Sequence, residues 1–129
     1  MEKVKLELII ESDNGLLNGR VTYNDNLIVD SANSLSELEE KIKVLLRDFE
    51  GLELNRIEFE HSYDVFALFA QFDFLKISKV AEHAGINAGL LRQYASQVKF
   101  PSAAQAKKIE NTIHHLAKQM MQASLHVYA

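Results

Sequence analysis

The chain has 129 residues and no cysteine, with 47% hydrophobic and 25% charged residues. These proportions are typical of a globular protein with one domain or two small ones, and they argue against disorder of the whole chain. The lack of cysteine excludes disulfides, thiolate metal sites and a thiol nucleophile. No apolar run approaches the roughly 20 residues that span a bilayer, and the first residues lack the apolar core of a signal peptide. We therefore expect a cytoplasmic protein.

The charge is distributed unevenly along the chain. Residues 1–62 hold 14 acidic and 7 basic side chains, for a net charge of −7, whereas residues 63–129 hold 4 acidic and 7 basic ones, for +3. This asymmetry indicates two partners, a polyanion for the C-terminal half and a basic protein for the N-terminal half. The alternative is an acidic surface that serves only solubility.

Residues 1–62 are predicted to form an α+β domain with the order βββαβ and an antiparallel sheet. Apolar residues alternate with charged ones over residues 3–11, which is the period of a strand with one buried face. Turn signals at 13–15 and 24–26 separate this strand from two more, around 20–23 and 27–29, so an antiparallel meander is expected. A fourth strand follows at 56–60, where Ile57 and Phe59 alternate with charged residues.

The helix of this domain is predicted to begin at Ser34. Ser34 can cap the free amides, and Glu37 stands three residues later, as a capping box requires. Gly51 is the expected end of the helix. Its apolar stripe, spaced to cover one face of the sheet, is Leu38, Ile42, Leu45 and Leu46.

Residues 63–129 are predicted to form a second, all-α domain, in which residues 77–96 match a helix-turn-helix. Two short helices that cross steeply need a small residue at their contact, which Ala81 supplies, and a sharp turn with positive φ, where Gly85 fits. Asn87 can cap the second helix. The apolar residues expected to be buried between the two helices are Val80, Ala84, Ile86, Leu91 and Tyr94. The alternative is a plain helical hairpin with an exposed polar face.

The outward face of the second helix suits the reading of DNA. Arg92 can donate two hydrogen bonds to guanine, and Gln93 can pair with adenine, while Ala88 and Gly89 let the backbone approach the groove. Asn87 completes this predicted DNA-binding face. The residues suited to phosphate contacts are Ser78, Lys79, Ser96 and Lys99.

The segment over residues 75–120 resembles the Cro/CI-like family of helix-turn-helix domains. The turn from Ser96 to Ser102, which contains Lys99 and Pro101-Ser102, is similar to the family's connection to its next helix, except that Gln97 stands where Gly is frequent. The resemblance implies a domain that binds double-stranded DNA in the major groove.

Helical periodicity continues from residue 103 to about 125, which is longer than such a domain needs. A narrow apolar seam predicts a homodimer interface, with packing on the domain's own core as the alternative. The seam consists of Ile109, Ile113, Leu116 and Met120.

The N-terminal half resembles the HicB-type antitoxins in its element order, its acidic charge and the segment from Asp30 to Glu40, a short turn that leads into a Ser-capped, Glu-rich helix. The resemblance implies a partial ribonuclease-H-like fold that binds a small basic toxin, and a C-terminal domain that represses its own promoter. The chain departs from the family because it lacks the Pro-Gly-Cys-like turn before this helix.

The function expected from these features is that of a dimeric antitoxin or autorepressor, without enzymatic activity or a cofactor. The alternatives are an orphan regulator, a protein–protein adaptor whose helix-turn-helix does not touch DNA, and a metal-dependent nuclease.

His114 and His115 are adjacent, so on a helix they point in different directions and suit one metal ion poorly. The acidic residues that could be imagined as Mg²⁺ ligands are Glu7, Asp30, Glu58 and Glu60.

Overall fold

A computed structural model describes residues 2–128 as two compact units that divide after Gln71. The first unit contains a four-stranded sheet, two α-helices and a short 3-10 helix (Leu54–Arg56), and the second contains three α-helices. The predicted α+β class and the order βββαβ are confirmed. In chain order the elements are β1 (Val4–Asp13), β2 (Leu16–Tyr23), β3 (Asn26–Ala32), α1 (Leu35–Glu50), β4 (Ile57–Tyr63), α2 (Val65–Gln71), α3 (Ile77–Ala84), α4 (Ala88–Ala95) and α5 (Ala103–Gln122).

The sheet has the strand order β3-β2-β1-β4 and is mixed, so the prediction of an antiparallel sheet is wrong for its last strand. β1, β2 and β3 form the antiparallel meander, but β4 lies parallel to β1. The reason is the crossover through α1. A parallel pair needs a connection of a dozen or more residues, and this helix has the length to return the chain to the other end of the sheet.

α1 covers one face of the sheet and forms the core of the first unit with it. Ser34 caps the helix by accepting a hydrogen bond from the Glu37 amide at 3.2 Å, and Gly51 ends it with a left-handed φ of 70°. Both predicted helix ends are confirmed. The side chains that this helix buries are those of Leu38, Ile42 and Leu46.

α2 belongs to the first unit, although the sequence placed the domain boundary after residue 62. Asp64 explains the difference, because its amide donates to the Ile10 carbonyl of β1 at 3.1 Å and its carboxylate accepts from the Ala67 amide at 2.7 Å. The strand therefore passes directly into a helix that packs on β1 and β4.

Among the helices of residues 2–128, none combines the length and hydropathy needed to cross a bilayer.

Candidate nucleic-acid interface

The candidate site is formed by α3, α4 and the three-residue turn between them. Gly85 ends α3 with a φ of 69°, and the next amide, that of Ile86, donates to the Ala81 carbonyl at 3.0 Å. Glycine adopts this left-handed conformation without a steric cost. The positive φ predicted at Gly85 is confirmed.

Asn87 starts α4. Its side-chain oxygen accepts a hydrogen bond from the Leu90 amide at 3.1 Å, so the predicted cap is confirmed. The oxygen is thereby occupied, and the carboxamide N–H groups of Asn87 are what it can offer to a ligand.

Buried apolar side chains hold the two helices together. α3 contributes Val80, Ala81 and Ala84, and α4 contributes Leu91 and Tyr94. Ala81 is the small residue that the sequence placed at this contact. Because one face of α4 is anchored in this way, its other face is held in a defined orientation within the unit.

The outward face of α4 carries the predicted DNA-reading residues. Gly89, Arg92 and Ser96 are exposed, and Ala88 and Gln93 are half-buried. Within residues 2–128, the side chains of Arg92 and Gln93 make no hydrogen bond or ion pair, which leaves their donors available to a ligand. Ser96 is less available, because its hydroxyl donates to the Arg92 carbonyl at 2.9 Å and helps to end the helix.

The predicted phosphate-binding residues divide between two places. The Lys99 amide donates to the Gln93 carbonyl at 3.2 Å, which brings this exposed lysine to the C-terminal end of α4. Lys79 lies on α3 beside the half-buried Ser78, and its ammonium is 3.4 Å from the Glu82 carboxylate. No hydrogen bond or ion pair joins Lys79 to α4 among residues 2–128.

Lys79 lines a groove of about 430 Å³ between α3 and α5, together with Lys76 and His83. Lys76 was absent from the predicted set, although it stands at the N-cap of α3 and therefore at the helix end where anions are favoured. Its spacing of three residues from Lys79 was the signal that would have identified it.

The turn between α4 and α5 contains a residue with positive φ at the position where the sequence departs from the resembled family. Gln97 takes a φ of 65°, at the position where the resembled family often has Gly. A side chain in this region costs about 1–2 kcal/mol. The turn also exposes Val98 and Phe100 on either side of Lys99, and this apolar surface was not predicted.

Comparison of the chain with protein-family models, curated proteins and solved structures finds no match.

The seam predicted on α5 is divided by the structure. Ile109 is only 2% exposed and belongs to the core of the second unit, so its assignment to a dimer interface is corrected. Ile113 and Leu116 are half-buried, and Met120 is 58% exposed. The part of the seam that remains accessible lies toward the C-terminal end of the helix.

The carboxylates considered as metal ligands are not gathered at one place. Glu7 and Glu60 are neighbours on β1 and β4, with Glu58 on the same face, but Asp30 pairs with Gly19 on the face that α1 covers. The Glu7 carboxylate accepts a hydrogen bond from the Ser62 hydroxyl at 2.6 Å. Within residues 2–128, no group of three or more histidine, cysteine or acidic side chains is arranged to hold a metal ion.

A separate polar contact joins α1 to β4, where Glu39 binds the imidazole of His61. Burial raises the pKa of the nearby Tyr63 hydroxyl, and the negative charge of Glu39 raises it further. Tyr63 packs at the rim of the core of the first unit.

Proposed function

We propose that the chain is a sequence-specific DNA-binding protein, a dimeric transcriptional repressor in which residues 77–96 act as a helix-turn-helix. In this proposal α4 enters the major groove. The observation that carries it is the outward face of α4, where the side chains of Arg92 and Gln93 make no hydrogen bond or ion pair within residues 2–128, while the buried face is anchored by Leu91 and Tyr94. These two side chains are the ones that pair bidentately with guanine and adenine.

The charge of the second unit supports the same proposal. Residues 72–129 hold 7 basic and 3 acidic side chains, for a net charge of +4, although the whole chain is at −4. Phosphate attraction supplies most of the affinity of a protein for DNA regardless of sequence. A basic unit with an unpaired arginine on a helix face therefore favours DNA over a protein ligand.

The first unit extends the proposal to the type of regulator. Its acidic surface and its βββαβ order agree with the resemblance to HicB-type antitoxins, so we propose that it binds a small basic protein whose production the second unit represses. An orphan regulator with another basic partner is the alternative within the same scheme.

Arg92→Ala is expected to weaken binding to a selected DNA site by about 1–3 kcal/mol, which corresponds to a loss of roughly 5–150-fold. The site is first selected from a random duplex library with the full chain, and affinity is then measured by fluorescence anisotropy at several salt concentrations. Base preference at one position should relax at the same time, because the bidentate contact is lost.

Arg92→Lys is the matched control, since it keeps the charge but loses the bidentate geometry. It should retain the salt dependence of the native chain and still lose base preference. If Arg92→Ala changes neither affinity nor preference, reading by α4 is wrong. If no library member binds with salt-dependent affinity, the chain is an adaptor rather than a DNA-binding protein.

Dimerisation is expected to use the accessible end of α5. A two-fold protein reads two half-sites one helical turn apart, and exposed Met120 and Met121 offer an apolar surface for a second copy. Met120→Glu should weaken the dimer at least tenfold in sedimentation equilibrium. Asn111→Glu, which adds the same charge at another exposed position of the helix, should leave it unchanged. A native chain that is monomeric at micromolar concentration would contradict this.

A further inference from the structure

β3 forms one edge of the sheet and presents unpaired backbone groups. The hairpin to β2 closes at the pair Tyr23↔Asn26, across a turn in which Asn24 and Asp25 both have positive φ. In a two-residue hairpin of this type the closing pair is hydrogen-bonded, and the pattern then alternates along the strands. The N–H and C=O groups of Leu27, Val29 and Ser31 therefore point away from β2.

The outward-pointing backbone groups of Ser31 already have hydrogen-bond partners within the unit. Its amide donates to the Asp30 carboxylate at 2.8 Å, and its carbonyl accepts from the Lys41 ammonium at 2.9 Å. The open part of the edge is thus the stretch from Leu27 to Val29. These two side chains are 63% and 57% exposed.

The opposite edge of the sheet has a different character. β4 presents Glu58 and Glu60 on its outer face, and charged side chains of this kind protect an edge from strand addition. β3 carries no such charge at Leu27 and Val29. Of the two edges, β3 is the one suited to receive another strand.

A groove of about 490 Å³ lies beside the open stretch, between β3 and the C-terminal half of α1. Leu45 and Phe49 form its apolar wall, and Phe49 is 75% exposed although it continues the apolar stripe of the helix. Glu50 stands at the end of this groove. An apolar side chain on a strand added to β3 would pack against this wall.

A second groove of similar volume continues along α1 from Leu45. Asp30, Glu37 and Glu40 line it with one cation, Lys41, which donates to the Ser31 carbonyl and lies 3.8 Å from the Glu37 carboxylate, so the lining keeps a net negative charge. The ligand that complements this surface is positively charged.

We propose that an extended segment of another protein, with alternating apolar and basic residues, binds as a fifth strand along Leu27 to Val29. Its apolar side chains pack on Leu45 and Phe49, and its lysine or arginine residues meet the carboxylates of the adjoining groove. A second copy of the chain is disfavoured at this edge, because residues 1–62 carry a net charge of −7. The inference rests on the proposed function in that it gives the basic partner its place and its mode of binding.

The test uses the full chain labelled with ¹⁵N and a capped eight-residue peptide of alternating valine and lysine. Hydrogen exchange at the amides of Leu27 and Val29 should slow at least tenfold at saturating peptide, because these N–H groups become hydrogen-bonded. Two peptides serve as controls, one with glutamate in place of lysine and one with the same charge but a proline at its centre. Neither should slow exchange at these amides.

Three variants of the protein test the same surface. Glu40→Lys/Glu50→Lys should weaken peptide binding at least tenfold, whereas Glu58→Lys/Glu60→Lys, which changes the net charge equally at the far edge, should have little effect. Val29→Pro should abolish binding and keep the pairing with β2, because the N–H that it removes points outward.

Unchanged exchange at Leu27 and Val29 overturns the proposal, as does equal binding of all three peptides. Slowed exchange that depends on protein concentration without peptide would instead make a second copy the occupant. DNA affinity is measured on the same samples. If the chain binds DNA but not the peptide, only the proposal of an added strand is rejected. If it binds the peptide but not DNA, only the proposed DNA-binding function is rejected.

Discussion

Leu91→Ala is expected to lower the free energy of unfolding of the second unit by about 2–5 kcal/mol. The Leu91 side chain is 0% exposed and lies on the buried face of α4, whereas Arg92 is exposed. Its truncation removes buried methyl groups and leaves a cavity, and a unit of this size has a total stability of only about 3–9 kcal/mol. A substantial fraction of the molecules should then have this unit unfolded at 25 °C.

Hydrogen exchange resolved by residue measures this effect in each unit separately. Amides of α3 and α4 should lose most of their protection in Leu91→Ala, and DNA affinity should fall with the folded fraction. Val98→Ala is the control, since Val98 is 68% exposed and its truncation should cost no more than about 0.5 kcal/mol. Full protection of α4 in Leu91→Ala would show that this helix is not held by the buried contact.

The ends of the helices could be predicted because they depend on neighbouring residues. Ser34 and Asn87 cap two helices by accepting from an amide three residues later, and Gly51 and Gly85 end two helices with positive φ. The spacing of a cap and the conformational freedom of glycine are local properties. They can be read from a few consecutive letters.

The direction of β4 could not be predicted in the same way. The alternation of Ile57 and Phe59 with charged residues shows that one face is buried, but it is the same in parallel and antiparallel pairing. The direction depends on which edge of the sheet the strand joins after α1. That choice is made by packing between residues distant in sequence.

For the candidate site, the sequence likewise predicted which helix faces are buried but not what buries them. The periodicity of α4 separated Leu91 and Tyr94 from Arg92, and the burial agrees. On α5 the same periodicity did not reveal the role of Ile109, because an apolar stripe shows that a face is buried and not what buries it. The edge of β3 was equally hidden, since strand order decides which strand lies outermost.

Gly19→Val is expected to lower the free energy of unfolding of the first unit by about 3 kcal/mol, the upper part of the range for overpacked cores. Gly19 lies on β2 under α1, and a Cβ atom at this position would be 2.9 Å from Leu38 Cδ2 and 3.1 Å from Leu38 Cγ. Leu38 is 0% exposed, so its side chain cannot move out into solvent, and a close-packed core resists a new rotamer. The helix must therefore shift away from the sheet.

A double-mutant cycle isolates this contact. The free energy of unfolding of the first unit is measured in urea, with hydrogen exchange at the amides of β2 and α1 as the readout. Leu38→Ala alone should cost about 2–5 kcal/mol, because it opens a cavity under the helix. Combined with Gly19→Val it should cost clearly less than the sum of the two changes, since the valine methyl groups fill the space that Leu38 leaves. Strictly additive costs would mean that Gly19 does not set the distance between α1 and β2. Because α1 also forms the wall of the groove beside β3, a helix displaced in Gly19→Val should bind the valine–lysine peptide more weakly, and the double variant should recover part of that affinity.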